Sequence, residues 1–281
     1  MISLTIFLEF AKYLKWVNIP FYAKMKKLGF SKAGGYKMVP ITLFFIPYAG
    51  GSASVSFKWK KLLLPQIKLV PLELAGRGIR SGETLKDSIE EMSDDLLHKI
   101  GQEIAPGDPY AIYGHSMGTM IAFELYYKLV AGGYGEPAHL FVSGGRAPHV
   151  PRNLPWSHDL PADKFRTDLQ RYGQLSEAIF YNQELYDYFM PVLRADFKAV
   201  ETYKYTAKPE PLHCPITALT GLADHTMTLQ EVEAWVQHTD QEFRMFTFDG
   251  GHFFIQDEME RITHIINENL ERSAVINRLQ H

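Results

Sequence analysis

From residue 38 onward, short apolar runs of five to eight residues alternate with longer amphipathic segments. The apolar runs contain few polar positions, which is typical of parallel strands covered by helices on both faces. These runs predict six strands, at residues 41–47, 67–74, 110–114, 139–144, 215–221 and 243–250.

The segments between these runs place apolar residues at spacings of three and four, as in amphipathic helices. Strands that alternate with helices predict an α/β fold, with a mostly parallel central sheet and helices on both faces. Helices are predicted at residues 83–104, 117–133, 227–239 and 256–271.

Residues 150–211 interrupt this alternation, because they contain no convincing strand and are bounded by prolines. A segment of this length is too long for a loop of a compact domain. A helical pattern at residues 184–203 predicts that the segment is a helical insertion, which would act as a lid.

Composition is that of a globular protein: 281 residues, of which 46% are hydrophobic and 22% are charged. The single cysteine, Cys214, excludes an internal disulfide framework and indicates a reducing, cytoplasmic compartment. Cys214 precedes an apolar run, so we expect it to pack as a small hydrophobic residue.

Charge divides the chain into two parts. Residues 1–38 carry a net charge of +6, which leaves −9 for residues 39–281. An acidic main domain argues against binding to nucleic acid. Residues 1–38 are predicted to be a basic amphipathic extension, and residues 39–281 an α/β domain. We favour a docking arm, or translated sequence upstream of a start at Met38, over membrane-surface contact by residues 1–37.

Ser116 lies between two glycines, Gly114 and Gly118, after an apolar strand and before an apolar helix. This G-x-S-x-G arrangement predicts a sharp elbow that presents the serine hydroxyl at a helix N-terminus. The glycines would let neighbouring backbone segments pass without a Cβ clash. Ser116 is therefore the candidate nucleophile, and the adjacent His115 is expected to be structural.

A serine nucleophile needs a base and a carboxylate that orients the base. His252 follows the last predicted strand on a glycine-flanked loop, which makes it the candidate base. Asp224 follows the strand at 215–221, at the edge where open α/β sheets carry functional groups. Asp224 is the candidate acid, and Asp249 is the second choice.

Hydrolysis through such a serine also needs two backbone N–H groups to bind the oxyanion. One is predicted to be that of Met117, the residue after the nucleophile. The small-residue loop after the first strand would supply the other from Ala49, with Gly50 as the alternative. The sequence has no H-E-x-x-H metal motif and no P-loop, so neither a metal nor another cofactor is expected.

Six motifs together resemble the stand-alone type II thioesterases of polyketide and nonribosomal peptide synthesis. The resemblance extends from residue 41 to about residue 270 and is far more specific than G-x-S-x-G alone. The motifs are, in order, FIPYAGGSAS, ELAGRGIR, YGHSMG, LRADF, TGLADH and FDGGHFF.

This resemblance implies an α/β-hydrolase fold with a helical lid. It implies hydrolysis of acyl groups from the phosphopantetheine arms of acyl or peptidyl carrier protein domains. It matches Ser116, Asp224 and His252 to the catalytic triad, and the Ala49 and Met117 amides to the oxyanion hole.

Two positions depart from the family pattern: Ala75 replaces a usual proline, and Thr119 replaces a usual glycine or alanine. The alternatives are an esterase or lipase with the same triad, and a non-catalytic module that binds acyl carriers. Five side chains of the insertion are expected either to line an acyl channel or to pack as core: Phe180, Tyr181, Tyr188, Phe189 and Met190. A local basic dock for the carrier would use Arg77, Arg80, Arg146 and Arg152.

Overall fold

A computed structural model describes residues 40–173 and 178–279. The predictions for residues 1–38 lie outside the described residues. In the described part, six parallel strands form one sheet in the order β2-β1-β3-β4-β5-β6. The strands are β1 (Ile41–Ile46), β2 (Ile67–Pro71), β3 (Tyr110–His115), β4 (His139–Ser143), β5 (Ile216–Gly221) and β6 (Phe243–Phe248).

All six predicted strands are confirmed, and so is the α/β fold. Burial on both faces explains why these strands read as apolar runs: β1, β3, β4 and β5 are buried at every position. The chain order reverses between β1 and β3, which is where open α/β sheets form their functional crevice.

Helices cover both faces of the sheet. On one face pack α1 (Ile89–Ile100), α2 (Met117–Ala131) and α6 (Leu229–Glu233). The other face is covered by a 3-10 helix (Ala53–Lys61), the short α7 (Phe254–Asp257) and the long α8 (Met259–Leu279).

Helix boundaries differ from the predictions where capping residues decide them. The helix expected from residue 83 begins at Ile89, because the Ser88 side chain accepts a hydrogen bond from the Glu91 N–H and caps it. The helix expected at 227–239 begins after Thr228, whose side chain forms a reciprocal capping box with Glu231. It continues as a 3-10 helix at Ala234–His238.

The insertion, residues 150–211, lies between β4 and β5. Its helices are α3 (Ala162–Leu169), α4 (Ala178–Tyr181) and α5 (Gln183–Thr202), with a 3-10 turn at Gln170–Tyr172. The helical pattern that predicted 184–203 therefore corresponds to α5. The insertion has a separate apolar cluster, formed by Phe165, Leu169, Met190, Leu193 and Phe197.

Candidate active site

Ser116 occupies a strained turn between β3 and α2. Its φ of 54° and ψ of −115° make it the one residue other than glycine with a positive φ in the described chain. A Cβ on Gly114 would lie 2.2 Å from the Gly118 carbonyl oxygen, and one on Gly118 would lie 2.4 Å from the Ile46 carbonyl oxygen. Both glycines are therefore required by close backbone packing around the elbow, and strain such as that at Ser116 is typical of functional positions.

Three side chains that are far apart in sequence meet at the carboxyl edge of the sheet. His252 Nε2 lies 2.8 Å from Ser116 Oγ, and His252 Nδ1 lies 2.7 Å from Asp224 Oδ2. An ionised Asp224 can only accept, so Nδ1–H donates to it and Nε2 accepts from the Ser116 hydroxyl. The sequence thus identified all three members of this hydrogen-bonded chain, whereas the second choice, Asp249, is exposed.

The environment of Asp224 keeps this carboxylate charged. Burial opposes ionisation, but hydrogen bonds from His252 and Thr226 outweigh it and lower the pKa of Asp224 below its usual value. Thr226 donates to Oδ1 from both its N–H and its hydroxyl, at 2.9 and 2.6 Å. Sequence reasoning missed Thr226, although a threonine two residues after an aspartate at a strand end is a common local turn.

His115 is hydrogen-bonded to the backbone of the loop that carries His252. The His115 Nε2–H donates to the His252 backbone carbonyl at 3.0 Å, so Nδ1 accepts from the Ser143 hydroxyl at 2.8 Å. Complete burial is the largest effect that lowers the pKa of His115, to about 3. A neutral ring with this fixed tautomer links the elbow to the histidine loop.

Two backbone amides are candidates for the oxyanion hole. Ala49 lines the cavity beside Ser116, and its N–H has no partner among the loop and turn hydrogen bonds of the described residues. Met117 is the first residue of α2, so its N–H lies in the first turn, where helix amides have no intrahelical partner. The alternative donor, the Gly50 N–H, is already bound to Asp196 Oδ2 at 2.6 Å. The Gly50 N–H is therefore engaged, and Ala49 remains the candidate second donor. The loop that carries Ala49 follows β1, whose Ile46 pairs with Gly114 of β3.

A small cavity of about 40 Å³ adjoins the serine. One wall comes from the sheet side and carries Ser116, His252 and Ala49, while the facing wall comes from the insertion. The Tyr172 ring lies edge-on to the His252 ring, with 5.3 Å between the ring centroids. The remaining lining residues are Tyr48, Leu169, Gly173, Leu193, Phe197 and Phe253.

The five insertion residues named from the sequence do not line this cavity. Met190 is buried in the cluster of the insertion, and Phe180 and Phe189 pack against that cluster. Tyr181 and Tyr188 are exposed. The core-packing alternative therefore holds for Met190, Phe180 and Phe189, and α5 lines the cavity with Leu193 and Phe197 instead.

The four arginines predicted to form a basic dock for the carrier are paired with other groups of the protein instead. Arg77 is buried and paired with Asp196, and Arg80 is buried and paired with Asp95. Arg146 donates to the Val150 carbonyl, and Arg152 to carbonyls at residues 154 and 155. All four guanidinium groups are therefore engaged within the fold. The partners of Arg146 and Arg152 include carbonyl groups no more than four residues away, whereas Arg77 pairs with Asp196, 119 positions away.

Cys214 is buried and free, as expected. Across the described residues, no group of three or more His, Cys, Asp or Glu side chains is arranged to hold a metal ion. In the same part of the chain, no helix is both long enough and apolar enough to cross a membrane.

Comparison with known proteins places this chain in a family. The model of the thioesterase domain matches residues 41–270. The linear gramicidin dehydrogenase LgrE of Brevibacillus parabrevis is 36% identical over 84% of this chain and 89% of its own length.

Solved structures of other proteins resemble this chain in both sequence and fold. ClbQ from the colibactin NRPS/PKS pathway is 33% identical, with a TM-score of 0.80 over 84% of this chain and 99% of ClbQ. The type II thioesterase BorB from the borrelidin biosynthetic cluster is 33% identical, with a TM-score of 0.75 over 83% of this chain and 94% of BorB. With its elbow, its fold and these relatives, the chain belongs to the thioesterase family of the α/β-hydrolase fold, as a type II thioesterase.

Proposed function

We propose that this protein hydrolyses acyl thioesters held on the phosphopantetheine arms of acyl or peptidyl carrier protein domains, through an acyl-enzyme on Ser116. The observation that carries the proposal is the hydrogen-bonded chain from Ser116 Oγ through His252 to Asp224. A serine hydroxyl is a weak nucleophile unless a positioned base removes its proton.

In the acylation step, His252 Nε2 takes the proton of Ser116 as Oγ attacks the thioester carbonyl carbon. The carbonyl oxygen becomes an oxyanion, which the Ala49 and Met117 N–H groups would bind. Asp224 stabilises the imidazolium and holds it in the productive tautomer. The tetrahedral intermediate collapses, the C–S bond breaks, and the thiolate leaves with the proton from His252.

In the deacylation step, His252 removes a proton from a water molecule that attacks the acyl carbon of the ester on Ser116. The C–Oγ bond then breaks, Ser116 recovers its proton from His252, and the free acid leaves. The resting enzyme is regenerated with no group beyond those of the chain and one water.

The substrate class is supported by the walls of the cavity and by the relatives. Leu169, Leu193 and Phe197 present apolar surface to an acyl chain. ClbQ comes from an NRPS/PKS pathway, and BorB is a type II thioesterase from a biosynthetic cluster. The insertion would shield the acyl-enzyme from bulk water.

The test compares two matched substrates, an acyl-pantetheine thioester and the oxygen ester of the same acyl group. We expect kcat/KM for the thioester to exceed that for the ester. Ser116→Ala should reduce kcat by at least about 10⁴-fold, because nucleophile and base act as one unit. The variant should unfold near the wild-type temperature, since alanine keeps the Cβ and the backbone conformation at this position and removes only the hydroxyl.

Three outcomes would reject the proposal. Preference for the oxygen ester would indicate an esterase. Failure of a fluorophosphonate to label Ser116 would indicate a non-catalytic binding module. Serine-independent dehydrogenase activity would favour the activity named for LgrE.

A further inference from the structure

Asp196 connects the insertion to the loop that carries Ala49. It lies on α5, and its carboxyl side chain is fully buried. Its Oδ2 accepts the Gly50 N–H at 2.6 Å, and its two oxygens accept from Arg77 at 2.5 and 2.7 Å. A bidentate pair of this kind fixes both partners in orientation as well as distance.

Further contacts hold the same loop. Gly50 has a φ of +76°, and a Cβ there would lie 2.5 Å from Leu193 Cδ2, one turn before Asp196 on α5. Arg77 also donates to the Gly51 carbonyl, at 3.5 Å. The backbone on the carboxyl side of Ala49 is therefore clamped between α5 and Arg77.

We propose that Asp196 is a positioning residue that aims the Ala49 N–H at the oxyanion by fixing the adjacent Gly50. The inference rests on the proposed function. An oxyanion donor must be held at about 2.7–3.1 Å from the developing charge, and a misplacement of about 1 Å can cost 10²-fold in rate. Gly50 supplies this restraint because its N–H is the first bonded amide after Ala49.

In this role, α5 is a rigid part of the site that stays in contact with the loop carrying Ala49. A buried ion pair that loses one partner leaves an unpaired charge, so α5 cannot leave the loop without a large energetic cost. The insertion helix that contributes Leu193 and Phe197 to the cavity thus also holds the oxyanion loop.

The experiment uses Asp196→Asn and the double variant Arg77→Gln with Asp196→Asn, which removes both charges together. The matched control is Glu201→Gln. Glu201 lies on the same helix, is buried, and accepts hydrogen bonds from Ser157 and His158 instead of from the loop. All values are normalised to folded enzyme measured by thermal unfolding.

Two quantities are measured: kcat and KM for an acyl-pantetheine thioester, and the affinity for an alkylboronic acid. Ser116 Oγ adds to boron as its proton passes to His252, so the tetrahedral adduct places an oxygen where the oxyanion forms. Both Asp196 variants should lower kcat by about 30- to 100-fold, with KM within about threefold. They should weaken boronic acid binding by a similar factor, whereas Glu201→Gln should leave the ratio of boronic acid affinity to KM within about threefold.

An Asp196 effect equal to that of Glu201→Gln would overturn the inference, and so would a loss confined to KM. If Asp196→Asn does not fold, the double variant decides by the same criteria. A wild type that lacks Ser116-dependent turnover would instead reject the proposed function. The two failures are therefore distinguishable.

Discussion

The two walls of the cavity are built in different ways. The sheet-side wall depends on backbone packing: a strained serine, two glycines and a histidine loop held by His115. The insertion-side wall depends on apolar side chains, together with one buried ion pair at Asp196. Backbone contacts tolerate no added atom, whereas an apolar wall tolerates a change of side chain if its volume is kept. We therefore expect the sheet side to set the chemistry, and the apolar side chains of the insertion to set the preference for the acyl group.

The largest effect that tests this contrast is expected at Asp224. Asp224→Asn should lower kcat by about 10⁴-fold, because an asparagine cannot hold the imidazole in the productive tautomer or stabilise its charged form. Steady-state kinetics on the acyl-pantetheine thioester measures the change. The control is Asp249→Asn, at an exposed position, which should retain the wild-type rate.

The stabilities of the wild type and of Asp224→Asn should also depend differently on pH. The pKa of Asp224 is lowered in the folded state, so its carboxylate stabilises the fold at every pH above the ordinary aspartate value of about 3.9. This stabilisation disappears as the pH falls through the lowered pKa. The difference in unfolding free energy between wild type and Asp224→Asn should shrink as the pH falls below about 4. A difference that keeps its full size well below about pH 3 would contradict the assignment of a carboxylate with a lowered pKa.

An intermediate effect is expected from one added methyl group at the elbow. Gly118→Ala would place a Cβ 2.4 Å from the Ile46 carbonyl oxygen and should destabilise the fold by about 2–3 kcal/mol. Urea unfolding measures this loss. Gly82→Ala is the control, because its Cβ would meet nothing within 4 Å and should change the stability by less than about 0.5 kcal/mol. Equal losses at the two glycines would remove the case for a backbone-packed wall.

The smallest effect is expected on the insertion side. Phe197→Leu widens the cavity and should raise kcat/KM for a longer straight-chain acyl group about three- to tenfold relative to acetyl. Phe165→Leu is the matched control, because the Phe165 ring packs edge-on against Phe197 in the same cluster but does not line the cavity. Both variants should lose similar stability, and chain-length selectivity should change for Phe197→Leu alone. A parallel shift in selectivity for both would mean that the cluster acts through its packing rather than through the cavity wall.

The sequence by itself determined the six strands, because fully buried parallel strands appear as apolar runs that are too short for helices and alternate with amphipathic segments. It also determined the positions of Ser116, Asp224 and His252, since each follows a strand in a short, glycine-containing or turn-forming segment. Parallel strands all end at one edge, so residues at those ends converge whatever the details of packing.

The tertiary structure decided what depends on contacts between distant segments. It showed which faces of the insertion helices meet the serine, so that Leu193 and Phe197 line the cavity while Tyr181 and Tyr188 face solvent. It also brought Arg77, Gly50 and Asp196 together across 146 positions of sequence. The periodicity of a helix defines its apolar side but not the element that covers it, and a charged residue has no local pattern that reveals a buried partner.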